Sequence, residues 1–296
     1  MPRFRKFKEK FASSLMIALT VASGLLLFII SIGLLFRSRE ILEIKPFMEL
    51  LTSSVWKPGR GEFGFWPFIA GSLWVTGLSA ILAVPVSLLC AIYLSEYAPR
   101  AVRAIAAPIL DLLSGIPSVV FGIWGVLALV PLVKDRIAPM TGHFSSGYTV
   151  LTAGIVLAVM IVPLIVHVAL SVLRTVGKDL RDASLSIGAT RWQTVKLVVL
   201  RKAMPGLFAA VVLGISRAFG ETMAVIMVAG NVAKVPKGLL SPAYPLPALI
   251  ANNYGEMLSI PLYDSALMFA AFLLLAVVVL FNIAARLILK KVGDIR

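Results

Sequence analysis

The sequence predicts an all-α fold, a polytopic membrane protein that crosses the bilayer six times. Two observations carry that reading. Of its 296 residues, 59% are hydrophobic and 14% charged, with a mean hydropathy of +0.97, where a soluble domain runs at about 45–50% and about 25%. The apolar residues also gather into stretches of about 20 or more, the length a helix needs to cross a hydrocarbon core of roughly 30 Å. The single cysteine, Cys90, excludes an internal disulfide framework and a Cys-rich metal site. Two histidines, His143 and His167, leave little for a His-based centre, so neither a metal nor a cofactor is expected.

The first stretch is 11–36, uncharged and 26 residues long. Arg3, Arg5, Lys6, Lys8 and Lys10 before it imitate the positive end of a signal peptide. The run exceeds the about 7–15 residues of a signal h-region, however, and no A-x-A cleavage signal follows, so it reads as a retained helix. The second is 63–95, with its helix starting near Phe68. The third is 112–133, with Asp111 at its cytoplasmic edge or acting as a cap. Residues 137–173 are uncharged, and 149–173 is read as the fourth helix. The fifth, 206–230, contains Arg217 and Glu221; the sixth, 265–289, is uncharged as far as Ala285.

Six crossings put both termini on one side. That side carries 18 Lys and Arg against 9 on the other, which places both termini in the cytoplasm by the positive-inside rule. The net charge of +14 is therefore a topology signal, and no nucleic acid partner is expected. The chain divides near residue 66. Residues 1–66 form a cytoplasmic arm, the first helix and the first outer loop, and 67–296 hold helices 2–6 with a cytoplasmic loop at 174–206. The outer connections 37–66 and 231–264 are long, and the second carries Pro236, Pro242, Pro245, Pro247 and Pro261, which oppose regular helix. They read equally as docking surfaces for an extracytoplasmic partner or as spacers.

The 174–206 loop holds two short helical signals with a break. Asp179 caps the first helix and Asp182 sits in its first turn, where a carboxylate suits the helix dipole. Gly188 ends it in a left-handed conformation, and Thr190-x-x-Gln193 is a capping box that restarts it. Leu180, Ala183, Leu185 and Ile187 mix with Arg181 and Asp182. The result is either a knob suited to a groove on another protein or a basic loop on anionic membrane lipid headgroups. Trp192 anchors this segment.

At these residues the sequence resembles a known family. The loop is similar to the EAA loop of ABC-importer permeases: E-A-A, three residues, Gly, nine residues, then I-x-L-P. Asp182-Ala183-Ser184 stands at E-A-A with Leu185 after it, Gly188 follows with Ala189 beside it, and Val198-Val199-Leu200 comes nine residues later. Asp replaces Glu, and Arg201 stands at the expected Pro, with Pro205-Gly206 four residues on. The resemblance implies that Asp182, Ala183, Ser184, Leu185, Gly188 and Ala189 form a coupling helix seated on a cytosolic ATPase subunit. The sequence has no G-x-x-x-x-G-K-[ST] pattern, so the motor is expected on another chain and no catalysis in this one.

Three further stretches narrow the resemblance. They are Ala91-Ile-Tyr-Leu-Ser-Glu-Tyr-Ala-Pro99, Leu110-Asp-Leu-Leu-Ser-Gly-Ile-Pro-Ser-Val-Val-Phe-Gly122 and Arg217-Ala-Phe-Gly-Glu-Thr-Met-Ala224. Together, from about residue 63 to the C-terminus, they look like the phosphate-specific (Pst) permeases, the C-type more than the A-type. That implies a type I ABC importer permease (MetI-like) fold in the cell inner membrane. It also implies a heterodimer with a homologous A-type permease, two ATPase subunits and an extracytoplasmic phosphate-binding protein, moving inorganic phosphate by alternating access.

The charges in the fifth helix give a physical reason of their own. A charge at the bilayer centre costs at least about 2.5–3.5 kcal/mol on insertion scales and marks a functional pathway by default. With entry near Gly206, Arg217 lies roughly 17 Å in and Glu221 roughly 23 Å in, at about 1.5 Å per residue. Four residues apart, they share a face. Arg217 offers a phosphate oxyanion a fixed fork of donors; Glu221 holds that fork between transport events. The competing reading is a structural ion pair.

Thr222, next in the motif, joins the expected pathway. Ser118 offers a hydroxyl if Gly115 and Pro117 break the third helix beside a cavity; otherwise Pro117 is a plain helix-start proline. His167 is read as a packing histidine, Gly71, Gly77, Gly122 and Gly125 as close helix contacts, and Trp56, Trp66 and Trp74 as an outer interfacial belt. A permease for another oxyanion, molybdate or sulfate, shares every one of these features. An ion-coupled secondary transporter leaves the EAA loop unexplained, and a membrane scaffold has no need of buried charges.

Overall fold

The computed structural model describes residues 2–142, 144–255 and 261–294; His143 lies outside them. Among these residues there is no strand, only two isolated bridges, Lys57 with Glu62 and Gly230 with Ala243. The helices are α1 (Pro2–Arg37), α2 (Arg39–Ile44), α3 (Phe47–Thr52), α4 (Trp66–Tyr97), α5 (Arg100–Gly115) and α6 (Ser118–Met140). They continue as α7 (Val150–Thr175), α8 (Lys178–Ser186), α9 (Arg191–Gly220), α10 (Met223–Val228), α11 (Leu246–Asn253) and α12 (Pro261–Asp294). Six of them, α1, α4, α6, α7, α9 and α12, are long and apolar enough to cross a membrane.

The third and fifth crossings differ from the sequence reading. Residues 112–115 belong to α5, a separate amphipathic helix, and the third crossing starts at Ser118. The cause is Pro117, which pushes Ile116 into an extended conformation, φ −66 and ψ 127. Asp111 therefore sits inside α5 rather than at the edge of a crossing or in a cap. The fifth crossing starts at Arg191, not Gly206, because the Thr190 capping box opens one continuous helix that absorbs Pro205. It also stops sooner: Gly220 is its last residue, and the chain resumes as the short α10.

The central post is α7. Over half of its apolar window (56%) is buried, against 33% or less in every other span. Its first turn is fixed by Thr149, whose hydroxyl accepts from the Thr152 amide at 3.2 Å, while the Thr152 hydroxyl donates to the Gly147 carbonyl at 2.6 Å. Around α7 lies a core shared with α4, α6 and α10. A second core joins α2, α3, α11 and α12 to the start of α4, and a third joins the ends of α4 and α7 to the first half of α9.

Lipid tails are as apolar as leucine, so helices in a membrane associate by close packing at small residues. A methyl group on Gly125 would lie 2.7 Å from Val156 and 2.8 Å from Val228, and one on Gly122 would strike Met227. Gly71 packs on the backbone of Tyr244, in the loop before α11, rather than on a helix. Gly77 faces open space: a methyl group there would meet nothing within 4 Å among the described residues, so the expected helix contact is not made within them. Trp56 leaves the expected interfacial belt too. Its ring packs edge-on against Phe63, Phe65 and Phe68 at 4.8–5.4 Å, because the 53–65 loop folds it onto the second core. Trp66 and Trp74 stay exposed.

Candidate functional site: the α8 knob and the charges of the fifth span

The α8 knob forms from local signals shifted by two residues. Gly177, with an extended backbone, is the N-cap; Asp179 is in the first turn and Asp182 one turn later. Asp179 is not the cap because the extended pair Val176-Gly177 already ends α7 and starts the next helix. Gly188 takes φ +85, as its position requires, and its amide donates to the Leu185 carbonyl at 3.0 Å. The capping box is complete: the Thr190 amide donates to Gln193 Oε1 at 2.7 Å and the Gln193 amide to Thr190 Oγ1 at 3.3 Å. This box opens α9 itself rather than a second short helix.

The knob presents apolar surface outward. Leu180, Leu185 and Ile187 are exposed, Ile187 at 86%, with Asp182, Ala183, Gly188 and Trp192 beside them. Ala189 is half-buried. Ser184 turns the other way: it is buried, and its hydroxyl bonds Thr194 Oγ1 of α9 at 3.0 Å. Contiguous exposed apolar groups rimmed by charge mark an interaction surface.

Sequence reasoning gave Arg181 no role. Its Nη2 and Nε donate to both oxygens of Glu96 at 2.8 and 3.2 Å, and further bonds reach the carbonyls of Leu173, Val176 and Gly177. The available signal was Glu96 itself, a lone carboxylate closing an otherwise uncharged span.

Arg217 and Glu221 do not share a face. Glu221 lies outside the helix with extended backbone, φ −71 and ψ 122, because α9 ends at Gly220. Its Oε1 accepts from the Ala224 amide at 3.4 Å, and its side chain borders a narrow crevice with Ser72 and Thr76 of α4. Arg217 is exposed, and no ion pair or hydrogen bond holds its guanidinium among the described residues. The Thr222 hydroxyl donates back to the Gly220 carbonyl at 3.2 Å.

Helical parallelism fixes the level of Ser118. Gly122 of α6 abuts Ala224 and Met227, and Gly125 abuts Val228, so α6 and α10 run side by side in the same direction. Ser118 is one turn before Gly122, as the Gly220-Glu221-Thr222 break is one turn before Ala224. Two interruptions of regular helix thus lie at one level along the paired helices. Irregular backbone at membrane depth is tolerated where it is buried in protein or lines a water-filled cavity.

His167 is not a packing histidine in this chain. Its side chain is 62% exposed, on the open side of α7, with Nδ1 3.5 Å from Asp111 Oδ1 of α5. No group of three or more metal-ligating side chains occurs among the described residues.

Three comparisons bear on this arrangement. The family model described as binding-protein-dependent transport system inner membrane component matches residues 83–294. The chain is 34% identical to the phosphate transport system permease protein PstC of Haemophilus influenzae, over 96% of this chain and 95% of that protein. It is 41% identical to the probable ABC transporter permease protein YqgH of Bacillus subtilis, over 71% of this chain and 67% of that protein. Its fold matches a bacterial alginate ABC transporter solved with its periplasmic protein, at a TM-score of 0.65 and 18% identity, over 97% of this chain and 98% of the other.

Proposed function

Because the chain belongs to the family of binding-protein-dependent transport system inner membrane components, and within it to the phosphate permeases of the PstC kind, we propose that it is the permease subunit of an ATP-driven phosphate importer. It is a multi-pass protein of the inner membrane, with both termini in the cytoplasm, and one half of a pore whose other half is a homologous A-type permease. Residues 67–296 form the transport core and 1–66 an added arm and helix. Two cytosolic ATPase subunits grip α8, and a phosphate-binding protein docks on the outer loops. The permease carries out no bond chemistry.

One observation carries this reading: between the fourth and fifth spans the chain builds a capped helix whose apolar groups project outward. ATP binding closes the motors, α8 moves with them, and the spans turn their cavity outward; hydrolysis resets it. Arg217 supplies the cavity's cation. An exposed guanidinium without a carboxylate partner keeps its fork of donors available to an oxyanion. Thr222 and Ser118 extend the path at the level of the break, and Glu221, across that break from Arg217 rather than paired with it, repels the anion so that it does not bind too tightly to leave.

The test is uptake of labelled phosphate into proteoliposomes holding the assembled complex, with its binding protein and ATP. Accumulation that requires ATP and resists excess molybdate and sulfate is expected. Uptake of molybdate or sulfate in preference to phosphate would assign the chain to another oxyanion. Uptake without ATP would assign it to an ion-coupled carrier.

A further inference from the structure

The guanidinium of Arg181 touches three elements. It grips the Glu96 carboxylate at the end of α4 through two bonds, at 2.8 and 3.2 Å. It donates to the carbonyl of Leu173, in the last turn of α7, at 3.1 Å and to that of Val176, just past this helix, and it belongs to α8 itself. Both side chains are sheltered, at 19% and 11% exposure. The Ser95 hydroxyl adds a bond to Glu96 at 2.8 Å. A two-pronged guanidinium–carboxylate contact fixes direction as well as distance, and a cation at a helix C-terminus satisfies carbonyls that have no partner within the helix.

Two features show that this contact is built for position. Glu96 sits in a π-turn, Tyr93–Tyr97, where the wider turn re-aims side chains at the end of α4. The covalent link from α7 to α8 is only Val176-Gly177, both extended, and a methyl group on Gly177 would meet nothing within 4 Å. Val176 is held in the core at the ends of α4 and α7, and its amide donates to the Leu173 carbonyl at 3.4 Å, so Gly177 is the one residue of the link with no side chain to fix it.

We propose that Arg181 and Glu96 are a clamp that makes α8 and the cytoplasmic ends of α4 and α7 move as one body. A push on α8 then reaches the second and fourth spans directly. Without the clamp it would be absorbed at Gly177. The buried Ser184–Thr194 hydroxyl bond ties the same helix to the fifth span. Arg181 and Glu96 are positioning residues; neither touches substrate or nucleotide. The proposal rests on the reading of α8 as the contact with the motor.

The experiment uses the assembled complex in proteoliposomes, with Arg181→Gln, Glu96→Gln, the double variant and Arg181→Lys. Two quantities are read. The first is phosphate moved per ATP hydrolysed. The second is the distance between spin labels at Tyr93→Cys and Lys178→Cys on a Cys90→Ala background, with and without trapped nucleotide.

The expected result is that Arg181→Gln and Glu96→Gln still hydrolyse ATP but move at least about fivefold less phosphate per ATP, the lower end of coupling between linked sites. The double variant loses no more than either single one, since both remove the same contact. Arg181→Lys, which keeps the charge and assembly but not the fork, falls between. The label distance stays fixed on trapping in the wild type and changes in the Gln variants. An unchanged ratio and a fixed distance in the variants, or a distance that shifts in the wild type, would overturn the clamp. A wild-type complex that hydrolyses ATP but moves no phosphate would overturn the functional reading instead, while the distance measurement still decides the clamp.

Discussion

Arg217 and Glu221 stand four residues apart in sequence and face different surroundings, because α9 ends between them at Gly220. Glu221 accepts from the Ala224 amide and borders a crevice with Ser72 and Thr76 of α4, and Arg217 stays exposed with no partner among the described residues. An intrahelical ion pair would have neutralised the guanidinium. The break leaves it available, 15 residues beyond Lys202 or roughly 22 Å along the helix. It lies three residues before Gly220, the last residue of an apolar span in which a cation is a functional-site candidate.

From this, Arg217→Ala is predicted to abolish phosphate uptake while the complex still assembles, and Arg217→Lys to restore it only in part, because an ammonium lacks the planar fork. Glu221→Gln is predicted to leave assembly intact and to slow release rather than entry. Uptake assays alongside co-purification of the subunits separate these effects. Full uptake by Arg217→Ala would remove this residue from the pathway.

The apolar face of the knob makes a prediction that bulk stability does not follow. Ile187→Asp and Leu185→Asp change exposed positions, where substitutions usually stay within about 0.5 kcal/mol. The melting temperature of the purified chain is therefore expected to hold, and co-purification of the ATPase subunit to fall sharply. Retained ATPase binding would return the knob to the lipid headgroups.

At Gly188 the backbone alone decides. The φ of +85 costs an ordinary residue about 1–2 kcal/mol, yet a methyl group there would meet nothing within 4 Å. Gly188→Ala is predicted to lower stability by about that amount through strain, and to loosen the turn between α8 and α9. Gly188→Asn, which tolerates the left-handed region better, should lose less. Thermal unfolding of both variants checks the order.

Two glycines of equal appearance in the sequence should behave oppositely. Gly125→Ala drives a methyl group to within 2.8 Å of Val156 and Val228 and is predicted to cost about 1–3 kcal/mol as overpacking. Gly77→Ala enters open space on α4 and should be neutral or slightly stabilising. Thermal stability in detergent reads both, and a neutral Gly125→Ala would contradict the packing of α6 against α7.

Legibility in the sequence followed the physics of each signal. Apolar length revealed six crossings, and Gly188 and the Thr190 box marked the turns of the loop between the fourth and fifth, because each depends on a few adjacent residues. The third crossing was misplaced because a charge-free window extends backward through Leu112–Leu113, while the break depends on what Pro117 does to Ile116. The shared face of Arg217 and Glu221 assumed an unbroken helix, and no nearby proline announces the stop at Gly220. The Arg181–Glu96 contact joins residues 85 apart, a distance that spacing along the chain does not encode. The family motif located α8, yet it did not separate Ser184, which turns inward, from its outward neighbours.

The central claim is that Arg217 meets the two sides of the membrane in turn. The direct measurement is labelling of Arg217→Cys, on a Cys90→Ala background, by a membrane-impermeant thiol reagent applied from one side at a time to the assembled complex. The account predicts labelling from the cytoplasmic side without nucleotide and from the outer side with nucleotide trapped. Labelling from one side only in both states, or from neither, would contradict it.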